Sequence, residues 1–254
     1  MRLRHHIEGP EGAPVLVLAN SLGTTLELWD RNVDAWTPSL RVLRYDARGH
    51  GGSDVPPGPY SVEQLGRDVL GLLDELGIER ASFCGTSLGG ATGLWLAANV
   101  PERIERLVVA CSSARFGEPD RWRERAQLVR AGGVEAIADV VVSRWFTADA
   151  SRELVDVHRA MLVSTPRDGY VATCEAVGGW DFRDRVGEIS TDTLVIAAAE
   201  DRAAPLEYSE LIADRVPSSR LVVLDRAAHL ANVERADAFS ELVVEHVRLR
   251  VEAA

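Results

Sequence analysis

Three residues of this chain have the types and surroundings for nucleophilic chemistry: Ser87, Asp201 and His229. Ser87 stands in Ala81-Ser-Phe-Cys-Gly85-Thr-Ser87-Leu-Gly89-Gly90, where an apolar run passes straight into Gly-x-Ser-x-Gly and a helical pattern begins at once. A serine on so sharp a strand-to-helix turn takes strained backbone angles and leaves no room for side chains two residues to either side, hence Gly85 and Gly89. The turn presents the hydroxyl above the N-terminus of the next helix, whose dipole favours developing negative charge. A serine needs a base and the base an orienting acid, which in this architecture follow in the order Ser, Asp, His. Asp201 comes just past the apolar run Leu194–Ala199, and His229 just before the last helical pattern. Both are thus expected at strand C-termini, on the edge that carries Ser87. Glu200 is the rival acid; Asp201 is preferred because residue 200 is expected still to belong to the strand and a shorter side chain suits a fixed loop.

An oxyanion needs backbone N–H donors. Leu88, directly after the nucleophile, is expected to supply one, and Leu22 in the loop Asn20-Ser-Leu-Gly23 the other. A second glycine-rich stretch, Asp46-Ala-Arg-Gly-His50-Gly-Gly-Ser-Asp54, lacks the Gly-x-Gly-x-x-Gly dinucleotide pattern, and His50 has no second ligand at metal spacing. It is expected to be a structural turn tied down by Arg48. No metal and no cofactor are expected.

The elements that must hold these residues show as short apolar runs bounded by turn residues: Leu3–Ile7, Val15–Ala19, Val42–Tyr45, Ala81–Cys84, Leu107–Cys111, Leu194–Ala199 and Leu221–Leu224. Such runs predict strands buried on both faces, in a mostly parallel sheet, with Leu3–Ile7 as an edge strand. Helical patterns alternate with them at Ser61–Leu76, Leu88–Asn99, Leu206–Val216 and Ala236–Val251; Ser61 and Gln64 form a capping-box pattern. The fold class is therefore α/β, a doubly wound sheet. Between about Ser112 and Ser190 the strand rhythm stops, and helical patterns run over Trp122–Ala131, Val134–Val142, Arg152–Val163 and Gly169–Gly178. The expected organisation is a core from 1–111 and 191–254, with a helical lid at 112–190 inserted after the sixth strand.

The chain has 254 residues and a net charge of −11; its 28 basic side chains are all arginine. Without lysine there is no Schiff-base residue and no phosphate-loop lysine. The acidic balance excludes non-specific nucleic-acid binding, which needs a basic surface. No apolar run is long enough to span a bilayer, and the N-terminus carries no signal-peptide pattern. Three scattered cysteines, Cys84, Cys111 and Cys174, fit reduced thiols, so a cytoplasmic protein with no membrane partner is expected. The lid carries 11 arginines against 13 acids, net −2, leaving −9 on the rest.

Taken together, Asp-x-Arg-Gly-x-Gly-x-Ser, Gly-x-Ser-x-Gly-Gly and the late Asp and His resemble an α/β-hydrolase. More narrowly, the chain resembles the 3-oxoadipate enol-lactone hydrolases of the β-ketoadipate pathway. That likeness rests on Asn20–Trp29, Gly58-Pro-Tyr-Ser61, Arg144-Trp-Phe-Thr147, Met161–Pro166, Gly169-Tyr170, Cys174 and Ala228–Glu234. Asn20-Ser21 replaces the His-Gly of many α/β-hydrolases, a variant the enol-lactonases share. Some relatives are fused to a decarboxylase; this chain is too short for that, so the decarboxylase is expected to be separate.

The resemblance implies lactone hydrolysis through an acyl-Ser87 intermediate. The substrate is a small anionic lactone, so something in an acidic, lysine-free protein must hold its carboxylate. Arg144 with Trp145, in the lid, is the expected grip; Trp122 and Trp180 are weaker lid candidates, expected to pack. The hydrolase motifs alone also fit a general carboxylesterase, a cofactor-free perhydrolase or, more remotely, a non-catalytic ligand receptor. Oligomeric state is not legible.

Overall fold

The computed structural model describes residues 1–248. Seven strands form one sheet: β1 (His5–Glu8), β2 (Val15–Ala19), β3 (Arg41–Tyr45), β4 (Ala81–Thr86), β5 (Ile104–Ala110), β6 (Thr193–Ala198) and β7 (Ser219–Leu224). Their order is β1-β3-β2-β4-β5-β6-β7, with β1 antiparallel to β3 and every other pairing parallel. Strands β4 and β6 are buried along their whole length, as their apolar runs require of a sheet covered on both faces. The chain steps from β2 out to β3, then returns to the other side of β2 for β4. This reversal places a crevice beyond the C-terminal ends of β2 and β4, where open α/β sheets bind ligands.

Ten α-helices accompany the sheet among the described residues: α1 (Val33–Trp36), α2 (Val62–Glu75), α3 (Leu88–Asn99), α4 (Pro119–Gly132), α5 (Ala138–Val142), α6 (Arg152–Val163), α7 (Arg167–Gly178), α8 (Leu206–Arg215), α9 (Ala231–Glu234) and α10 (Ala236–Arg248). The α2 start follows from its sequence. Ser61 Oγ accepts from the Gln64 amide and Gln64 Oε1 from the Ser61 amide, a cap of about 1 kcal/mol. Val62, Leu65, Val69, Leu72 and Leu73 fall on one buried stripe, and Gly77 ends the helix at φ +66°. The last three residues of the helical pattern expected at Ala236–Val251 lie outside the described residues.

One expectation needs correction. The helices α4–α7 enter after the fifth strand, not the sixth, because only five extended segments precede Cys111. The stretch between β2 and β3 turns into a 3₁₀ helix (Leu26–Trp29) and α1. Each is one turn long, too short for periodicity to show, and tertiary bonds hold them. Trp29 Nε1 donates to Asn20 Oδ1 at 2.8 Å, and Asn32 Nδ2 to Asn232 O at 3.1 Å.

Candidate active site

The turn after β4 has the backbone strain expected of a nucleophile elbow. Ser87 sits at φ 57°, ψ −115°, immediately before α3. A Cβ on Gly85 would lie 2.2 Å from the Gly89 carbonyl carbon, and one on Gly89 would lie 2.3 Å from Ala19 O. No side chain fits at either position. The elbow is braced from the β5 end, where Ser112 Oγ donates to Ser87 O at 2.6 Å. It is also braced from the β2 end, where the Gly89 amide donates to Asn20 O at 3.0 Å.

The other two triad candidates meet as a buried pair. His229 Nδ1 lies 2.9 Å from Asp201 Oδ2, and both residues are buried. Asp201 Oδ1 accepts from the Ala203 and Ala204 amides, each at 2.8 Å, so its loop fixes the carboxylate against rotation. Glu200 is exposed. Strand β6 ends at Ala198, so residue 200 lies in the loop rather than the strand, and the exclusion of Glu200 rests on exposure, not on strand membership. The loop of His229 is pinned by Glu234, whose carboxylate accepts from the Ala228 amide at 2.7 Å. The same carboxylate accepts from Thr147 N and Oγ1 at 2.9 and 2.7 Å. One side chain thus joins the histidine loop to the segment carrying Arg144 and Trp145, which the Leu230 amide also joins through Trp145 O at 3.0 Å.

The Leu22 and Leu88 amides donate to no acceptor among the described residues, whereas the neighbouring Gly23, Thr24 and Gly89 amides are all engaged. The Leu22 loop is anchored by His50. Its Nε2 accepts from the Gly23 amide at 3.0 Å while its Nδ1 lies 3.1 Å from Arg48 O. That pattern is the neutral ring protonated on Nδ1, and burial holds the His50 pKa below its ordinary value. Arg48 forms a two-point ion pair with Asp68 of α2 at 2.5 and 2.6 Å, so the Asp46–Asp54 turn is tied to the core.

Ser87, His229, Ser21 and Leu22 open into one cavity of about 180 Å³, far more than one water needs. Arg144 and Trp145 line it, as do Arg121, Trp122, Arg125, Tyr170, Arg202 and Tyr208. Trp180 lies elsewhere, stacked on Phe182 and donating to Ser113 O. Four arginines and no acid line the cavity, and none of the four is ion-paired among the described residues. Sequence reasoning missed Arg121, Arg125, Arg202 and Tyr170. Arg121 and Arg125 are i,i+4 neighbours beside Trp122, a spacing that placed them on one face of α4 without saying what that face meets.

All three cysteines are buried and unbridged; burial pushes each thiol up, that of Cys174 to about 12. Among the described residues no group of three or more His, Cys, Asp or Glu could hold a metal ion, and no helix is long and apolar enough to cross a membrane.

A family model described as the alpha/beta hydrolase fold matches residues 14–236. The chain belongs to that family. Within it, the chain is 41% identical over 238 residues to 3-oxoadipate enol-lactonase 2 of Acinetobacter baylyi, covering 92% of this chain and 89% of that one. It is 37% identical to 3-oxoadipate enol-lactonase 1 of the same organism, over 93% of this chain and 89% of the relative. The crystal structure of the enol-lactonase from Burkholderia xenovorans LB400 superposes with a TM-score of 0.94 at 44% identity, over 97% of this chain and 96% of that one.

Proposed function

We propose that the chain hydrolyses 3-oxoadipate enol-lactone to 3-oxoadipate in the β-ketoadipate route of aromatic-compound breakdown, with Ser87 as nucleophile, His229 as base and Asp201 as orienting acid. One observation carries the reading. His229, buried in a pair with Asp201, shares with Ser87 a cavity lined by four arginines that have no ion-pair partner among the described residues, in a chain 41% identical to a 3-oxoadipate enol-lactonase.

Asp201 accepts from Nδ1–H, leaving Nε2 as the basic nitrogen. Ser87 Oγ transfers its proton to Nε2 as it attacks the ring carbonyl carbon. The oxyanion rests on the Leu22 and Leu88 amides, and one such donor is typically worth about 10²–10³ in rate. The ring C–O bond breaks, and the leaving enolate takes the imidazolium proton and ketonises, which removes the nucleophile that could reclose the ring. Water, deprotonated by His229, then attacks the acyl carbon. Ser87 leaves with its proton restored, and the new carboxylic acid ionises to the solvent. The scheme uses no metal and no cofactor. Arg144, beside Trp145, pairs with the carboxylate that the lactone already carries.

Residues 112–190 serve as the cap, with 1–111 and 191–254 as the hydrolase core, since α4, α5, the Arg144–Trp145 segment and α7 line the cavity together with Ser87 and His229. The partner is a small anionic lactone in the cytoplasm, not nucleic acid or membrane, in keeping with the net charge of −11. A fluorophosphonate probe tests the nucleophile. Labelling is expected in the native protein and lost in Ser87→Ala, and equal labelling of both contradicts the assignment.

A further inference from the structure

The cavity has two groups of cationic residues, one adjoining the histidine loop and one adjoining the oxyanion loop. Arg144 and Arg202 form the first, on the histidine side. Arg202 follows Asp201 directly and donates to Ser143 O, while Trp145 O receives the Leu230 amide next to His229. Tyr170, against the oxyanion loop, and Arg125, whose guanidinium acts on the Tyr170 phenol, form the second, with Arg121 one turn away on α4. A Cβ on Gly23 would lie 3.1 Å from Tyr170 Cε2, so the tyrosine ring rests against the loop that carries Leu22. A Cβ on Gly49 would lie 2.7 Å from Gly169 Cα, and this close backbone approach fixes the start of α7 against the His50 turn. The Arg125 guanidinium stacks 4.6 Å from the Trp122 ring centroid, which orients it.

Tyr170 is the informative residue of that group. It is fully buried beside Arg125, it lines the cavity, and its hydroxyl makes no well-aligned hydrogen bond among the described residues. A buried hydroxyl left without a well-made hydrogen bond is disfavoured, so it calls for a ligand. Burial holds the phenol well above its usual pKa, with the charge of Arg125 opposing, so the group is a neutral O–H donor. A neutral donor beside an unpaired guanidinium suits a carboxylate.

The acyl chemistry says which carboxylate. The leaving group departs on the histidine side, where it receives its proton, and the acyl oxygen sits in the oxyanion hole. Hydrolysis therefore creates its new carboxylate on the Tyr170 side. We propose that the cavity is a two-ended dicarboxylate site, in which Arg125 and the Tyr170 hydroxyl receive the carboxylate made by hydrolysis while Arg144 and Arg202 hold the one already present. Which end is which rests on the enol-lactonase reading; the existence of two anion subsites does not. The product is then a better ligand than either half of it, and a dicarboxylate inhibits turnover.

Isothermal titration with adipate and with hexanoate, of equal chain length, tests this without turnover. The native protein is expected to bind adipate at least about tenfold more tightly than hexanoate, since a second charged anchor of 1.4 kcal/mol is a factor of ten. Arg125→Gln is expected to bring the ratio of the two dissociation constants within about threefold. Tyr170→Phe, which removes one oxygen from a packed ring, is expected to fall between, and thermal melting of both variants verifies that they fold. A ratio near one in the native protein overturns the proposal, as does an unchanged ratio in both folded variants. If adipate keeps its advantage while the enol-lactone is not turned over, the lactone reading fails and the two-ended site stands. If the lactone is turned over while the ratio is near one, only the two-ended site fails.

Discussion

Ser87 holds a backbone conformation that a non-glycine residue adopts only under constraint, at a cost of order 1–3 kcal/mol. Its surroundings impose that conformation: glycines where no side chain fits, Ser112 Oγ on its carbonyl, and Asn20 on the next turn. Those requirements are local, so Ser87, Gly85 and Gly89 could be read from residue type and spacing. So could Asp201 and His229, whose loops follow strands on the same sheet edge. Arg144 reaches the cavity but stays exposed, and its partner in the account is the substrate carboxylate rather than a protein acid. Arg144→Ala is therefore expected to lower kcat/KM for the anionic lactone by more than about threefold, beyond 0.7 kcal/mol, chiefly through KM. A change smaller than threefold in steady-state kinetics removes Arg144 from the site.

Among the elements, the loop after β7 and the segment after α5 act as one unit because Glu234 bonds to both. Charged-group hydrogen bonds of this kind are worth about 1.5–3 kcal/mol together with the desolvation left behind. Glu234→Ala is thus expected to lower Tm by roughly 3–12 °C, at 2–4 °C per kcal/mol for a chain of this size, and to lower kcat by loosening His229. An unchanged melting curve contradicts the strut. Element existence was legible where an element spans several periods, as in α3, α6 and β2, whose bounds follow their hydrophobic patterns. One-turn elements such as α1 and α9 were not, because tertiary bonds rather than periodicity define them. The cationic wall of Arg125 and Tyr170 was missed for a related reason. It exists only once α4 and α7 dock on each other over the strand ends, and no local pattern reports that docking.

Across the whole molecule, charge is uneven in a useful way. The chain is net −11, yet among the described residues its cavity presents four arginines and no acid, a local field that favours an anion against the global sign. Three buried histidines, His50, His158 and His246, have pKa values held below the ordinary 6.5, chiefly by burial. Each stays neutral in the native state at a pH where the unfolded chain already takes up a proton. Their contribution is complete above about pH 6.5 and is lost as pH falls below it towards the native values. Tm is accordingly expected to drop from pH 7.5 to 5.5, and less steeply in His50→Gln; a Tm that rises over that interval contradicts the assignment. Protonated His50 also cannot accept from the Gly23 amide, so acid is expected to loosen the Leu22 loop together with the fold.

The central claim is hydrolysis of an anionic enol-lactone at Ser87, and its most direct test follows loss of absorbance of enzymatically generated 3-oxoadipate enol-lactone. The native protein is expected to turn it over with a kcat/KM well above that for p-nitrophenyl acetate, and Ser87→Ala to lose at least about 10³-fold. Preference for the neutral ester, or retained turnover in Ser87→Ala, contradicts the account.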